Sequence, residues 1–366
     1  MRLPFRIRKS AGVRVTPAVH RLIRQGDGAR RHAHWNEAAI AFRAALAADP
    51  RLHHIRLQLG HMLKEAGALD DADAVYAEAA GLCPDDAEPL VHRAHLAKRR
   101  RRRRAAIRLF AAALARNGGH DVEVELRDML DIDDATPSDV LRRILLAACR
   151  PADEPMPGAS GDQEADGSRA RDDAAMDRVA DVRPLVFDVT DLVGHFRYQR
   201  APTGIQRVQI EVLDRAIRCH GPAAIGIGCF INGRSGMVPV PVDQIVALAL
   251  LTRQGGDTLD PEWQEARTRL LVHLALAPHM TLPFRAILVN LGTSLWVSDY
   301  FLFIRNAKTR QQISYIPFVH DLIPIMLPDY CVRDIRETFS AWLAGLFHHA
   351  DGFLANSLST ARDLSQ

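Results

Sequence analysis

The chain has 366 residues, 48% hydrophobic and 25% charged, with 47 basic and 44 acidic side chains and a net charge of +3. That length fits two domains better than one, and the composition suits packed cores. The near-balance of charge gives no general reason to expect nucleic-acid binding. Five cysteines, at positions 83, 149, 219, 229 and 331, form no CxxC pair. This disfavours a disulfide framework or a zinc ribbon and points to a reducing cytoplasm. No apolar run approaches the roughly 20 residues that span a bilayer. The basic start, MRLPFRIRKSAGVRV, lacks the apolar core of a secretory signal.

A period of 34 residues organises the first third of the chain. Phe42, Tyr76 and Phe110 keep that step, as do Ala38, Ala72 and Ala106, and Ala45, Ala79 and Ala113. Gly26, Gly60 and Ala94 form a small-residue column, and Pro50, Pro84 and Gly118 end the units. A small residue lets two helices approach, an aromatic fills the space beside it, and proline stops a helix because it lacks an N–H. The columns resemble the tetratricopeptide repeat, a helix–turn–helix unit. Units are expected at 19–52, 53–86 and 87–120, in a helical array over 19–150. The Trp and Tyr often found in the first helix of such repeats are replaced by Leu22, Arg56 and Leu90. The resemblance implies a protein partner.

Lys98–Arg104 is a run of seven basic residues at the expected turn of the third unit. It reads as a solvated turn or as a contact to an anionic membrane surface, where each base adds roughly 1 kcal/mol. Nucleic acid is disfavoured because no aromatic interleaves for base stacking. Residues 122–149 carry apolar positions at helical spacing and are expected to cap the array, with Ser138 as an N-cap. Residues 151–182 hold nine acids, three arginines and no aromatic, Leu or Ile. Such a stretch has little to bury and is expected to be a disordered acidic linker.

From Arg183 strands alternate with helices. Strands are predicted at 184–189, 224–231, 286–290, 313–319 and 352–355. Helices are predicted from Thr203, over 241–253 and over 335–349. This pattern predicts a parallel α/β sheet covered on both faces, with a ligand crevice beyond the carboxyl ends of the strands. The loops there are Asp188–Asp191, Pro202–Arg207, Asn290–Trp296 and His320–Pro324.

Gly204 and Arg207 open a helix whose free N–H groups suit a diphosphate, although a plain strand-to-helix turn explains the same residues. His320 and Asp321 end an apolar strand, facing the crevice or capping the strand end. Asp188 and Asp191 line the crevice or, by preference, cap the following turn. No metal-ligand spacing recurs, so no metal and no cofactor are expected.

The segments FDVTDL (187–192), TGIQRV (203–208), NLGTSLW (290–296), VHDLIPIMLPDY (319–330) and FLANSLSTARDL (353–364) are similar in order and spacing to the N-terminal half of retaining GT-B glycosyltransferases. The resemblance covers roughly 184–366. It implies a Rossmann-like half-domain over 183–366, a nucleotide-sugar donor, and a glycan or lipid-linked acceptor in polysaccharide or glycoconjugate assembly. It places Gly204 and Arg207 near the donor diphosphate, Asn290 and Gly292 on the substrate side, and His320 with Asp321 near the transferred sugar. It also implies a second half with a Glu-x7-Glu pattern, which these 366 residues do not contain. The expectation is a truncated or split transferase, cytoplasmic or peripheral on the inner membrane face. The alternative is a non-catalytic repeat scaffold.

Overall fold

The computed structural model describes residues 16–150, 183–231 and 236–365. The linker expected over 151–182 and the basic start lie outside them. The chain divides into two compact units. One runs to Asp131 and takes in Leu145–Cys149; the other joins Ile132–Ile144 to residues from Arg150 onward.

The first unit holds α1 (Pro17–Arg31), α2 (Trp35–Ala48), α3 (His53–Glu65), α4 (Leu69–Leu82), α5 (Glu88–Arg99), α6 (Arg103–Ala115) and α7 (His120–Leu130). The first six form three helical hairpins at the 34-residue step, the tetratricopeptide architecture. Pro17 sits in the first turn of α1, where its missing N–H costs nothing, and Thr16 Oγ1 accepts from Val19 N at 3.4 Å.

Each hairpin turns in one way. Ala33, Gly67 and Arg101 have φ of +60°, +84° and +58°, one repeat apart. The next amide in each case, of His34, Ala68 or Arg102, donates back to Ala29, Leu63 or Ala97. This is the Schellman closure, which satisfies carbonyls left over at the helix end. The basic run therefore surrounds a tight turn, and Arg101 holds its left-handed place at a cost that Gly67 avoids.

The interior follows the columns. Phe42, Tyr76 and Phe110 are fully buried, with Ala38, Ala72 and Ala106. A Cβ on Gly26 would stand 2.5 Å from Phe42 Cε1, and one on Gly60 would collide with Tyr76. The small and aromatic columns thus face each other within one hairpin. Arg56, at a column position usually aromatic, is also buried; its Nη1 donates to Pro50 O at 3.1 Å and its Nε lies 3.2 Å from Glu78.

The second unit begins with 132–144, including the first turns of α8 (Ser138–Ala148). It continues with β1 (Leu185–Asp188), α9 (Thr190–Tyr198), α10 (Gly204–His220), β2 (Ile225–Phe230), β3 (Met237–Pro239), α11 (Val242–Thr252) and α12 (Pro261–Leu276). Then come β4 (Ile287–Asn290), α13 (Tyr300–Gln311), β5 (Ser314–Val319), α14 (Ile323–Met326), a 3-10 turn (Pro328–Tyr330), α15 (Arg333–His349), β6 (Leu354–Ala355) and α16 (Leu358–Asp363). Thr136 Oγ1 donates to Gln264 Oε1 at 2.8 Å, and Asp133 lies 2.8 Å from Arg267. These contacts to α12 explain why 132–144 belongs here, whereas the sequence suggests that all of 122–149 caps the repeats.

The sheet order is β3-β2-β1-β4-β5-β6. The sheet is mixed rather than wholly parallel, because β3 runs antiparallel to β2. Only a few residues join them, and a parallel return needs a crossover of a dozen or more. The strands alternate between two cores. Phe187, Val289 and Phe318 face one core with Leu192, Leu213 and Trp263. Val186, Leu288 and Val319 face the other with Tyr300, Trp342 and Leu346. Period-2 strands covered on both faces give this pattern. Strand order reverses between β1 and β4, and their carboxyl ends form the switch point where such sheets take ligands.

Candidate functional site

The switch point is built around two acids. Asp188 ends β1, lies beside Asn290 in the β1–β4 register, and has no solvent exposure. Its carboxylate accepts from Thr190 N (3.0 Å), Asn290 Nδ2 (2.8 Å) and Tyr300 Oη (2.7 Å), and from the Thr190 hydroxyl. Thr190 Oγ1 in turn accepts from Phe230 N at 3.0 Å, so one hydroxyl links the ends of β1 and β2. Burial pushes the Asp188 carboxyl above its ordinary range, against the pull of Thr190, Tyr300 and Asn290. Burial and the nearby Asp188 charge raise the Tyr300 phenol well above its usual value, so it keeps its proton and donates.

Asp191, in the first turn of α9, is the second centre. Its Oδ2 accepts from Gln206 Nε2 at 2.8 Å and Gln209 Nε2 at 2.6 Å, both on α10. Gly292 packs here: a Cβ would meet Asp191 Cβ and, at 2.9 Å, Gln209 Nε2. Glycine is required by this close approach. The loop after β4 is fixed further by His320, whose Nε2 lies 2.9 Å from Leu291 O. A carbonyl only accepts, so Nε2 carries the hydrogen in this contact. The ring stacks on Phe318 at 4.8 Å.

Asn290, Gly292 and His320 are therefore joined through Leu291 and the two acids. Buried His320 Nδ1, Asn290 Oδ1 and Gln209 Oε1 have no hydrogen-bond partner among the described residues. The other sequence-selected residues lie apart from this network. Asp321 Oδ1 accepts from Ile323 N at 3.1 Å and starts α14, a capping role. Gly204 is exposed and a Cβ there meets nothing, so the close approach expected of it is not required by the protein itself. Arg207 is exposed and lines a shallow trough along α10 with Val208, Glu211, Val212, Arg215 and Cys219.

The α10 N-terminus does have one open feature. Thr203 makes no side-chain cap to the first-turn amides; its hydroxyl contacts Gln206 instead. Arg200 fixes the preceding loop. Its guanidinium is buried, donates to Leu251 O (2.8 and 3.1 Å) and Asp257 O (2.9 Å), and lies 5.6 Å over the Trp263 ring.

The basic run is partly committed within the repeats. Lys98 pairs with Glu125, Arg100 lies 2.8 Å from Asp70, and Arg103 donates to Met129 O. Arg99, Arg101, Arg102 and Arg104 are exposed. Among the described residues no helix is long and apolar enough to cross a membrane. The expectation of no metal site meets one cluster of candidate ligands, His61, Glu88 and His92 in the first unit. Its signal, Glu-x-x-x-His, is short, and the third member comes from another helix.

The geometry defines a tetratricopeptide-like helical array and a doubly wound α/β unit with one reversed strand. No protein-family model matches the chain, and no curated protein matches it. Solved structures with similarity include MamA protein, 23% identical over 31% of this chain and 63% of that one, with a TM-score of 0.29. The Arabidopsis OM64 TPR domain is 15% identical over 31% of this chain and 93% of its own, TM-score 0.28. The Sgt2 TPR domain from Aspergillus fumigatus is 14% identical over 40% and 93%, TM-score 0.29. Scores this low carry no argument; the repeat assignment rests on the columns and turns above.

Proposed function

We propose that the repeat array is a docking scaffold for a protein partner. The observation behind this is the division of labour in the repeats. Small and aromatic columns are consumed by internal packing, while Ile40 and Leu82 stay 68% and 48% exposed. Stacked hairpins of this kind present an extended surface whose outer residues are free to specify a ligand. A photo-crosslinking residue placed at Ile40 or Leu82 of the full chain is expected to capture a discrete protein adduct in cells. Crosslinks that form no more often there than from Arg31, at the end of α1, remove the reading.

A second reading concerns the α/β unit, which we propose is the acceptor-side half of a nucleotide-sugar glycosyltransferase. Two observations favour it. The α10 N-terminus leaves first-turn amides without a side-chain cap, suited to a diphosphate. Ile323, Ile325, Met326 and Leu327 are exposed just beyond His320, an apolar border that suits a lipid-linked acceptor. His320 serves this reaction by holding the loop after β4 through Leu291 O, and Arg207 by reaching a phosphate from the first turn of α10. Titration of the full chain with UDP- and GDP-sugars is expected to give weak binding, about 1 mM or −4 kcal/mol. His320→Ala and Arg207→Ala are each expected to weaken it about tenfold. Equal binding by both variants and the parent chain contradicts the site, and no binding by any sugar nucleotide contradicts the donor.

A further inference from the structure

The first unit gathers a group of side chains that neither reading uses. Glu88 and His92 are one turn apart on α5, with His92 Nε2 3.5 Å from Glu88 Oε1. His61 reaches them from α3, its ring 4.4 Å from that of His92 and at 89° to it. One potential ligand atom from each of the three residues lies within 4.8 Å of the others. Behind them stands Tyr76, the aromatic of the second repeat. Its hydroxyl is 2.8 Å from His61 Nδ1, and its ring stacks on His92 at 5.1 Å.

We propose that His61, Glu88 and His92 bind a divalent transition-metal ion, with zinc the reference case, that ties the second repeat to the third. The donor set is two imidazoles and a carboxylate, which suits zinc and its neighbours rather than calcium or magnesium. The arrangement has the second layer that metal-bound imidazoles require. Tyr76 engages Nδ1 of His61, orienting the ring so that Nε2 is the ligating nitrogen. Bonds of about 2.0 Å require donor atoms about 3.3 Å apart, closer than here. Glu88 is exposed and supplies the closing movement. Three protein ligands leave a fourth position for water or a side chain of the docked partner.

The test uses the full chain, stripped with a chelator and titrated with Co2+. One tight equivalent is expected, with the visible absorption of a four-coordinate ion, displaced by Zn2+. Glu88→Gln and His92→Ala are each expected to weaken it at least tenfold. Tyr76→Phe, which removes only the orienting hydroxyl, is expected to cost about 10–100-fold. His53→Ala and His348→Ala, at histidines outside the cluster, are expected to leave the tight equivalent unchanged. Glu88 is on the surface, so Glu88→Gln folds and keeps the test decisive even where His92→Ala does not. Zn2+ should raise the melting temperature of the parent chain and not of Glu88→Gln. A tight equivalent that survives Glu88→Gln, or the lack of any tight equivalent, overturns the proposal.

Discussion

Gly26→Ala and Gly28→Ala, two residues apart on α1, are expected to shift stability in opposite directions. Both replace glycine in a helix, and each gains about 1 kcal/mol of helix propensity. The difference lies in what the new methyl meets. At Gly28 nothing stands within 4 Å. At Gly26 the Cβ would sit 2.5 Å from Phe42 Cε1 and 2.7 Å from Cδ1. Phe42 is fully buried, packed in a core with Ala38 and Leu59, and has no open side to swing towards. Overpacking a filled core costs about 1–3 kcal/mol and sometimes more.

The expected outcome is therefore a gain of about 1 kcal/mol for Gly28→Ala and a net loss of about 1 kcal/mol, up to about 2, for Gly26→Ala. Urea unfolding followed by far-ultraviolet circular dichroism measures both, since the repeats are almost wholly helical. Equal effects from the two variants would mean that the small and aromatic columns do not set the distance between the helices of a hairpin. Gly60→Ala provides an independent copy of the experiment against Tyr76.

These columns were legible in the sequence because a repeat prints each packing contact several times. The buried apolar strands were legible too, as short runs such as ILVN. The helices α9, α12 and α13 were not. In α9, TDLVGHFRY mixes β-branched residues, a glycine and aromatics, which favour other states locally. In α12 both Leu270 and Leu274 and the residues between them and beyond, Leu271, Val272 and Ala275, are buried, so no single apolar stripe appears. In α13 four bulky residues, Tyr300 to Phe303, begin the helix, and three of them are aromatic types that favour strands locally.

The candidate site shows the same limit. His320 follows an apolar strand and could be selected on that ground, whereas Asn290 and Gly292 were singled out by the resemblance that NLGTSLW carries. The Asp191 network could not, because it joins Gln206 and Gln209 from a second helix with no shared spacing. Nor could Arg200, whose basic side chain looks like surface in the sequence and is buried in the fold. The His61 cluster escaped for a related reason: its two halves sit on helices of successive repeats, and only the stacking brings them together.

Asp188→Ala is expected to destabilise the α/β unit by about 4 kcal/mol, since each buried donor left without an acceptor costs about 1–3 kcal/mol. Four donor groups depend on this carboxylate, from three residues on different elements: the amide and hydroxyl of Thr190, Asn290 and Tyr300. Three of the chain's four tryptophans, Trp263, Trp296 and Trp342, lie in this unit, so their fluorescence reports its unfolding. Asp188→Asn separates shape from charge, because it keeps the size and removes the titration. Burial holds the folded carboxyl above its ordinary range, so the native unit binds this proton more tightly than the unfolded chain does. That contribution is fully present below the unfolded value near 3.9 and is lost as pH rises through the folded value. The stability of the parent chain relative to Asp188→Asn should accordingly decline as pH rises from about 4, by up to about 1.4 kcal/mol per pH unit, and then level off. A difference that grows with pH would mean that the Thr190, Tyr300 and Asn290 hydrogen bonds outweigh desolvation and hold the carboxylate charged. The switch point would then carry a fixed negative charge beside β4, a poor neighbour for a sugar diphosphate and a direct argument against the donor reading.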